Sequence, residues 1–227
     1  MKLFVRLGLC VLLAATTAML FPRIRYQYLV VHHTASDTGN LHSVRRGHWA
    51  RGWFDAGYHL ILSNGSTAVP AGDLEPSLRY WLGTHSVATR SKRHNVLGLH
   101  LAVVGNYEQQ PPSPATRAHL AHALKLLSER YGVPSAKILL HRDCSATACP
   151  GRNIQRADLV RWVDQESGKV TPAVAARQRA VLAKTLTAPG ILFPLFLGGL
   201  VSIWGLQHRW RMRRRRISQP TANGAGL

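Results

Sequence analysis

The sequence predicts an α/β domain built on a mixed central β-sheet flanked by helices. Three observations carry that expectation. Short runs rich in Val, Ile, Leu and Tyr alternate with segments of helical periodicity. One strong hairpin signal, Asn64-Gly65, breaks the alternation and implies an antiparallel pair in an otherwise crossover-connected sheet. The 227 residues are enough for one such domain with extensions.

In chain order, "YQYLVVHH" (Tyr26 to His33) is β-branched and aromatic, as strands are. "NLHSVRRGHWARGW" (Asn40 to Trp53) reads as a short helix closed by a Gly turn. "GYHLILS" and "STAVPAG" read as two strands on either side of Asn64-Gly65. "VLGLHLAVVGNY" (Val96 to Tyr107) is a buried strand ended by Gly105 and Asn106. In "PPSPATRAHLAHALKLLSERYG", Pro-Ser-Pro starts a helix, Gly132 stops it, and Leu120, Leu124, Leu127 and Tyr131 recur on one face. "AKILLH" is a further short strand. "NIQRADLVRWVDQE" is a closing helix.

The two ends differ in kind from this middle. Lys2 and Arg6 precede an apolar run of about fifteen residues, Leu7 to Phe21, which is short for a span and ordinary for a signal-peptide core. Residues 1–21 are therefore expected to be a signal peptide, cleaved near "TTA", or a retained anchor. "LTAPGILFPLFLGGLVSIWGL" (Leu186 to Leu206) is uncharged and long enough to cross a bilayer. Pro189 and Pro194 would break a soluble helix, but spanning helices tolerate proline. "QHRWRMRRRR" follows at once, and such flanks stay cytoplasmic. The competing reading is a buried core helix followed by a nucleic-acid-binding arm. The expected organisation is a domain at 22–167, a polar helical stalk at 168–185, a transmembrane helix at 186–206 and a basic cytoplasmic tail at 207–227. Lys2 and Arg6 at one end and the arginines at the other put everything between them outside the cytoplasm. The implied location is a bacterial-type inner membrane with the domain on the extracytoplasmic side.

The net charge is +19, with 29 Lys and Arg against 10 Asp and Glu. Only six of the arginines lie beyond Leu206, so the domain is basic too. A basic body favours an anionic partner such as nucleic acid, lipid headgroups or a cell-wall polymer. The export topology argues against nucleic acid, and the arginine tail suits a topology anchor near anionic lipid.

The chain has three cysteines. Cys10 sits in the apolar N-terminal run without a lipidation signature. Cys144 and Cys149 form one close pair, too few for a disulfide framework, though a local bridge outside the cytoplasm is possible chemistry. "LLHRDCSATACPG" (Leu139 to Gly151) raises the alternative of a metal site. Catalytic zinc takes three His, Cys or carboxylate ligands and keeps one position for water. His33 and His141 stand at strand ends, and Cys149 follows eight residues after His141.

"VVHHTAS", "GYHLIL", "GTHS" and "HRDCSATACPG" occur in the order found in the zinc-dependent N-acetylmuramoyl-L-alanine amidases, which include the phage T7-type lysozymes and the catalytic peptidoglycan recognition proteins. The chain resembles that family from about Arg25 to Arg161. The resemblance implies a mixed sheet with zinc in a surface cleft. It implies His33, His141 and Cys149 as zinc ligands, with His32 a structural neighbour. It implies Tyr58 and Thr147 as catalytic groups beside the scissile amide and His85 in a loop lining the substrate cleft. His100 stands where some relatives place a glutamate, and a histidine there can be a proton shuttle, a core residue or part of the substrate groove. Cys144 matches no ligand position. The implied reaction is hydrolysis of the amide between the lactyl group of N-acetylmuramic acid and L-alanine, on peptidoglycan or a muropeptide. The alternative is a membrane-tethered module of the same fold that binds peptidoglycan without cutting it.

Overall fold

The computed structural model describes residues 26–183. Its centre is strand β1, Tyr28–His33, every residue of which is buried. β1 lies between β4 (Gly98–Val103) and β5 (Ile138–Leu140) and runs parallel to both. β2 (Leu60–Leu62) pairs parallel with β4, and β3 (Leu74–Pro76) pairs antiparallel with β2 at the edge. The order β3-β2-β4-β1-β5 is the mixed sheet the sequence predicts.

The helices are α1 (Leu41–Trp49), α2 (Leu78–Leu82), α3 (Lys92–Leu97), α4 (Pro114–Tyr131), α5 (His141–Cys144), α6 (Arg156–Glu166) and α7 (Pro172–Ala183). The stop and start signals act as read. Ser113 caps α4 by accepting from Thr116 N at 3.1 Å, Pro114 occupies its first turn, and Gly132 ends it at φ +65°. Such a cap contributes about 1 kcal/mol. α2 and α3 are too short to show helical periodicity, and the sequence reading did not anticipate them. Both are set by caps, Ser77 accepting from Tyr80 N and Ser91 from His94 N.

Successive residues of a strand face opposite sides of the sheet, and the two sides here differ. One side carries Leu29, Val31, Leu60, Leu62, Leu99, Leu101 and Val103. It packs against Leu120, Leu124 and Leu127 of α4 and Leu159 and Trp162 of α6 in one large core. A leucine buried this completely contributes about 1.5–3 kcal/mol. The other side carries Val30 and His32 of β1, His100 and Ala102 of β4, and Ile61 of β2. Ile61 and Ala102 join Leu41 and Val44 of α1, Ala56 and Val104 in a smaller cluster.

Two expectations need correction. "STAVPAG" is not a strand. After Asn64-Gly65 the chain wanders, and β3 starts only at Leu74. Loop side chains take the bonds a strand would use, with Ser63 Oγ donating to Val69 O and Asn64 Oδ1 accepting from Ser66 N. The segment expected as a polar stalk contains α7, which lies on the domain instead. It buries Val174, Ala175 and Leu182, and Gln178 bonds His122 and Gly72 O beneath it. Among the described residues no helix is long and apolar enough to cross a membrane. The signal or anchor at 1–21, the transmembrane helix at 186–206 and the tail at 207–227 lie outside the described residues.

Candidate metal centre and active site

The parallel register of β1 and β5 brings the two motifs together. Val31 pairs with Leu140, so the next residues, His32 and His141, stand side by side at the ends of their strands. Their ring centroids are 4.5 Å apart. Cys149 completes the group. The donor atoms of His32, His141 and Cys149 all lie within 4.8 Å of one another, and Cys149 Sγ is 3.9 Å from His32 Nδ1.

This revises the expected ligand set. His33, not His32, was the expected partner of His141 and Cys149. Strand alternation turns the His33 ring to the opposite side of the sheet, where its Nδ1 accepts from Tyr107 N at 3.2 Å. What His33 offers the site is backbone: its N–H points at Cys149 Sγ, at 3.4 Å.

The loop carrying Cys149 is held mainly by Arg142. Its backbone N–H bonds Cys149 O at 3.0 Å, and its guanidinium bonds Gly151 O at 2.9 Å and also Ile154 O. Gly151 sits at φ +100°, and a Cβ there would come within 2.3 Å of the Tyr107–Glu108 backbone. Only glycine permits that close approach. Cys144 and Cys149 are both free thiols, so the local bridge is not formed.

Tyr58 stands beside the group, its ring centroid 4.8 Å from that of His32. The backbone around it is pinned from three directions. Ser77 Oγ donates to Tyr58 O, Ser86 Oγ donates to Gly57 O, and Gly57 N donates to His48 Nδ1. Gly57 has no room for a side chain, since a Cβ would sit 2.7 Å from the Trp53 ring. Thr147 is exposed on the lip of the Cys149 loop, its Oγ1 accepting from Cys149 N at 3.3 Å. His85 is exposed too, and the fold holds its carbonyl rather than its ring, through Arg79 Nη1 at 2.8 Å.

His100 is not part of a groove wall. It is 0% exposed, and both ring nitrogens are engaged, Nδ1 with His32 Nε2 and Nε2 with His94 O, each at 2.9 Å. That geometry also removes it as a direct proton donor to a leaving group.

Burial dominates the electrostatics. It holds His32 and His100 well below the usual histidine range, with neighbouring imidazoles adding to the effect. Burial and His33 push His141 down to about 4. These imidazoles are therefore neutral at pH 7 and keep a lone pair for a metal. Burial pushes the Cys149 thiol up to about 11, opposed by the His33 N–H and Arg142. Burial, and then Cys149, also raises Tyr58, which stays a phenol and a donor.

The donor set fits zinc. Two imidazoles and a thiol match its preferred ligands, and tetrahedral sites with bonds of about 2.0–2.3 Å need only a small inward movement from the observed spacing. The residues that would hold the ion are His32, His141 and Cys149. Sequence reasoning named two of these three and also missed Arg142. The adjacency of Arg142 to His141 was the available signal for it.

Fold and site together define the class: a mixed-sheet α/β domain with a two-histidine, one-cysteine cluster at its strand ends. The model of the N-acetylmuramoyl-L-alanine amidase family matches residues 22–152, more than half of the chain, and the chain belongs to that family. A human N-acetylmuramoyl-L-alanine amidase is 30% identical over 162 residues, which are 65% of this chain and 26% of the relative. The chain thus spans about a quarter of the length of the mammalian relatives it matches. The endolysin of Enterobacteria phage T3 is 28% identical over 149 residues, 62% of this chain and 87% of that one. Among solved structures, the amidase LysC of Clostridium intestinale superposes with a TM-score of 0.50 at 19% identity, covering 63% of this chain and 87% of its own. Peptidoglycan recognition protein LE, solved with tracheal cytotoxin, gives 0.50 at 17% identity, covering 65% and 86%. These structural likenesses establish the fold.

Proposed function

We propose that this protein is a zinc-dependent N-acetylmuramoyl-L-alanine amidase that cleaves the lactyl–L-alanine amide of peptidoglycan or muropeptides. The observation that carries the reading is the convergence of His32, His141 and Cys149 beside Tyr58, within a chain of this family. Recognition protein LE was solved with a monomeric diaminopimelic acid-type peptidoglycan, which favours the same class of ligand here.

His32, His141 and Cys149 would hold the ion, which when bound supplies Lewis acidity toward a water and the substrate carbonyl. Tyr58, kept protonated by its burial, donates a hydrogen bond to the oxygen on which negative charge develops. Thr147 Oγ1 already accepts from Cys149 N, so its own proton is free to point to the same oxygen. Arg142 keeps the Cys149 loop from shifting, which matters because small misplacements of reacting groups cost large factors in rate.

The location is the second part of the proposal: a domain outside the cytoplasm, tethered by the apolar segment 186–206 with the arginine tail inside. The support is the charge pattern around the two apolar segments. Protease added to intact spheroplasts is expected to remove the domain and spare a tag at the C-terminus, and the reverse would overturn the topology.

The test of the activity uses the zinc-loaded full chain on purified peptidoglycan, with mass spectrometry of released stem peptides. Free peptides with a new L-alanine N-terminus, absent after chelation and from Cys149→Ser, are expected. Wall binding without release, by a protein that holds zinc, would replace the enzyme with a binding module.

A further inference from the structure

We infer that His100 is a positioning residue: it fixes His32 in the tautomer that carries its proton on Nε2, leaving Nδ1, the nitrogen facing Cys149, free to bind a metal. The inference rests on the metal-centre part of the proposed function and goes beyond the ligand set.

The register sets up the contact. Val30 pairs with His100 and His32 with Ala102 on the adjacent parallel strands, so His32 and His100 share a face, two residues out of step. Their ring centroids lie 5.1 Å apart, tilted by 30°. The proton order then follows from one fixed point. His94 O can only accept, so His100 Nε2, 2.9 Å away, must donate. A neutral imidazole has one proton, so His100 Nδ1 is bare and accepts. His32 Nε2, 2.9 Å from it, must therefore donate. A neutral His32 then has a bare Nδ1, which lies 3.9 Å from Cys149 Sγ.

The anchor of this chain is itself built. His94 O closes α3, where it also accepts from Gly98 N. A Cβ at Gly98 would come within 2.4 Å of His94 O and 3.0 Å of His100 Nε2, so glycine is what lets the carbonyl reach the ring. On its other side the His100 backbone is held as well, its N–H donating to His59 Nδ1 at 2.9 Å while His59 Nε2 meets Thr84 O. Without His100, the buried Nε2–H of His32 loses its acceptor. The ring then relieves the loss by moving its proton to Nδ1, where it blocks the metal. Partners that orient a ligating histidine in this way typically carry about 10–100-fold in metal affinity.

The experiment compares the full chain with His100→Asn and His100→Leu. Asparagine places Oδ1 where Nδ1 stood and keeps an acceptor for His32, whereas leucine removes it. Zinc affinity is read by chelator competition, and the coordination sphere by the absorption bands of the cobalt-substituted protein. His100→Leu is expected to bind zinc about 10–100-fold more weakly with altered cobalt bands, and His100→Asn to stay within about threefold of the parent. A folded leucine variant that binds like the parent overturns the inference, as does an asparagine variant as weak as leucine. Nitrogen-15 NMR of histidine-labelled, metal-free parent gives an answer even if the leucine variant fails to fold. His32 should carry its proton on Nε2, and a proton on Nδ1 overturns the inference. A parent that binds zinc with the expected tautomer but releases no stem peptide would sink the amidase reading and leave this one standing.

Discussion

The two sides of the sheet are built on different principles. The side under α4 and α6 is a leucine core, where total apolar volume does most of the work. The other side buries His32, His59 and His100 completely, each ring satisfied by a named partner. A buried polar network of this kind is stable only when every member is paired. The first side supplies stability that substitutions erode by degrees. The second supplies a geometry that substitutions abolish.

The sharpest way to break that contrast is the adjacent pair. His32→Ala is expected to lose zinc and all zinc-dependent release, while His33→Ala keeps zinc. The His33 change leaves the buried Tyr107 N–H without its acceptor and costs about 1–3 kcal/mol of stability. Chelator competition and urea unfolding on the two proteins read both effects, and zinc loss in His33→Ala alone would reverse the ligand assignment.

Leu124→Ala addresses the leucine side. It should cost about 2–5 kcal/mol in urea unfolding and leave zinc affinity unchanged under folding conditions. A changed affinity would mean the two sides are coupled.

The histidine side should also respond to acid. Burial pushes His59 down to about 4, against about 6.5 in the unfolded chain. Between those values the unfolded state binds the extra proton, so stability present above pH 6.5 falls as pH drops toward 4. The share of the loss that His59 contributes at pH 5 is on the order of 2 kcal/mol, read as a lower urea midpoint. His59→Asn should make that dependence shallower, with His32, His100 and His141 supplying what remains, and an unchanged slope would remove His59 as a source.

The smallest effect is expected at Cys144. Cys144→Ser should keep zinc and release within about twofold of the parent, because neither the donor group nor Tyr58 uses it. Zinc loss equal to that of Cys149→Ser would put Cys144 in the site.

How much of this could be read in advance varied by element, for physical reasons. Hydrophobic periodicity and caps located β1, β4, β5, α1, α4 and α6. The helices α2 and α3 escaped because five or six residues do not complete a recognisable period. The polar stalk escaped because α7 buries small residues, Val174 and Ala175, which carry little signal, and a glutamine that reads as exposed. His33 stands in place of His32 in the sequence reading because it matches the second histidine of the family motif, and β1, buried on both faces, offers no alternation to correct that match. An amphipathic strand announces its inner face by alternation, whereas a strand covered on both sides does not.

Local pattern was enough for the mixed α/β class, the order of most elements, the grouping of His141 with Cys149, and the family resemblance. Those depend on local pattern and on residues close together in the chain. Three features needed the folded chain: which of two neighbouring histidines joins them, the place of His100 behind it, and the closure of α7 on the domain. Each of those is a matter of register between strands or packing between distant segments. A shift of one residue in register would exchange the two faces while leaving the sequence pattern unchanged.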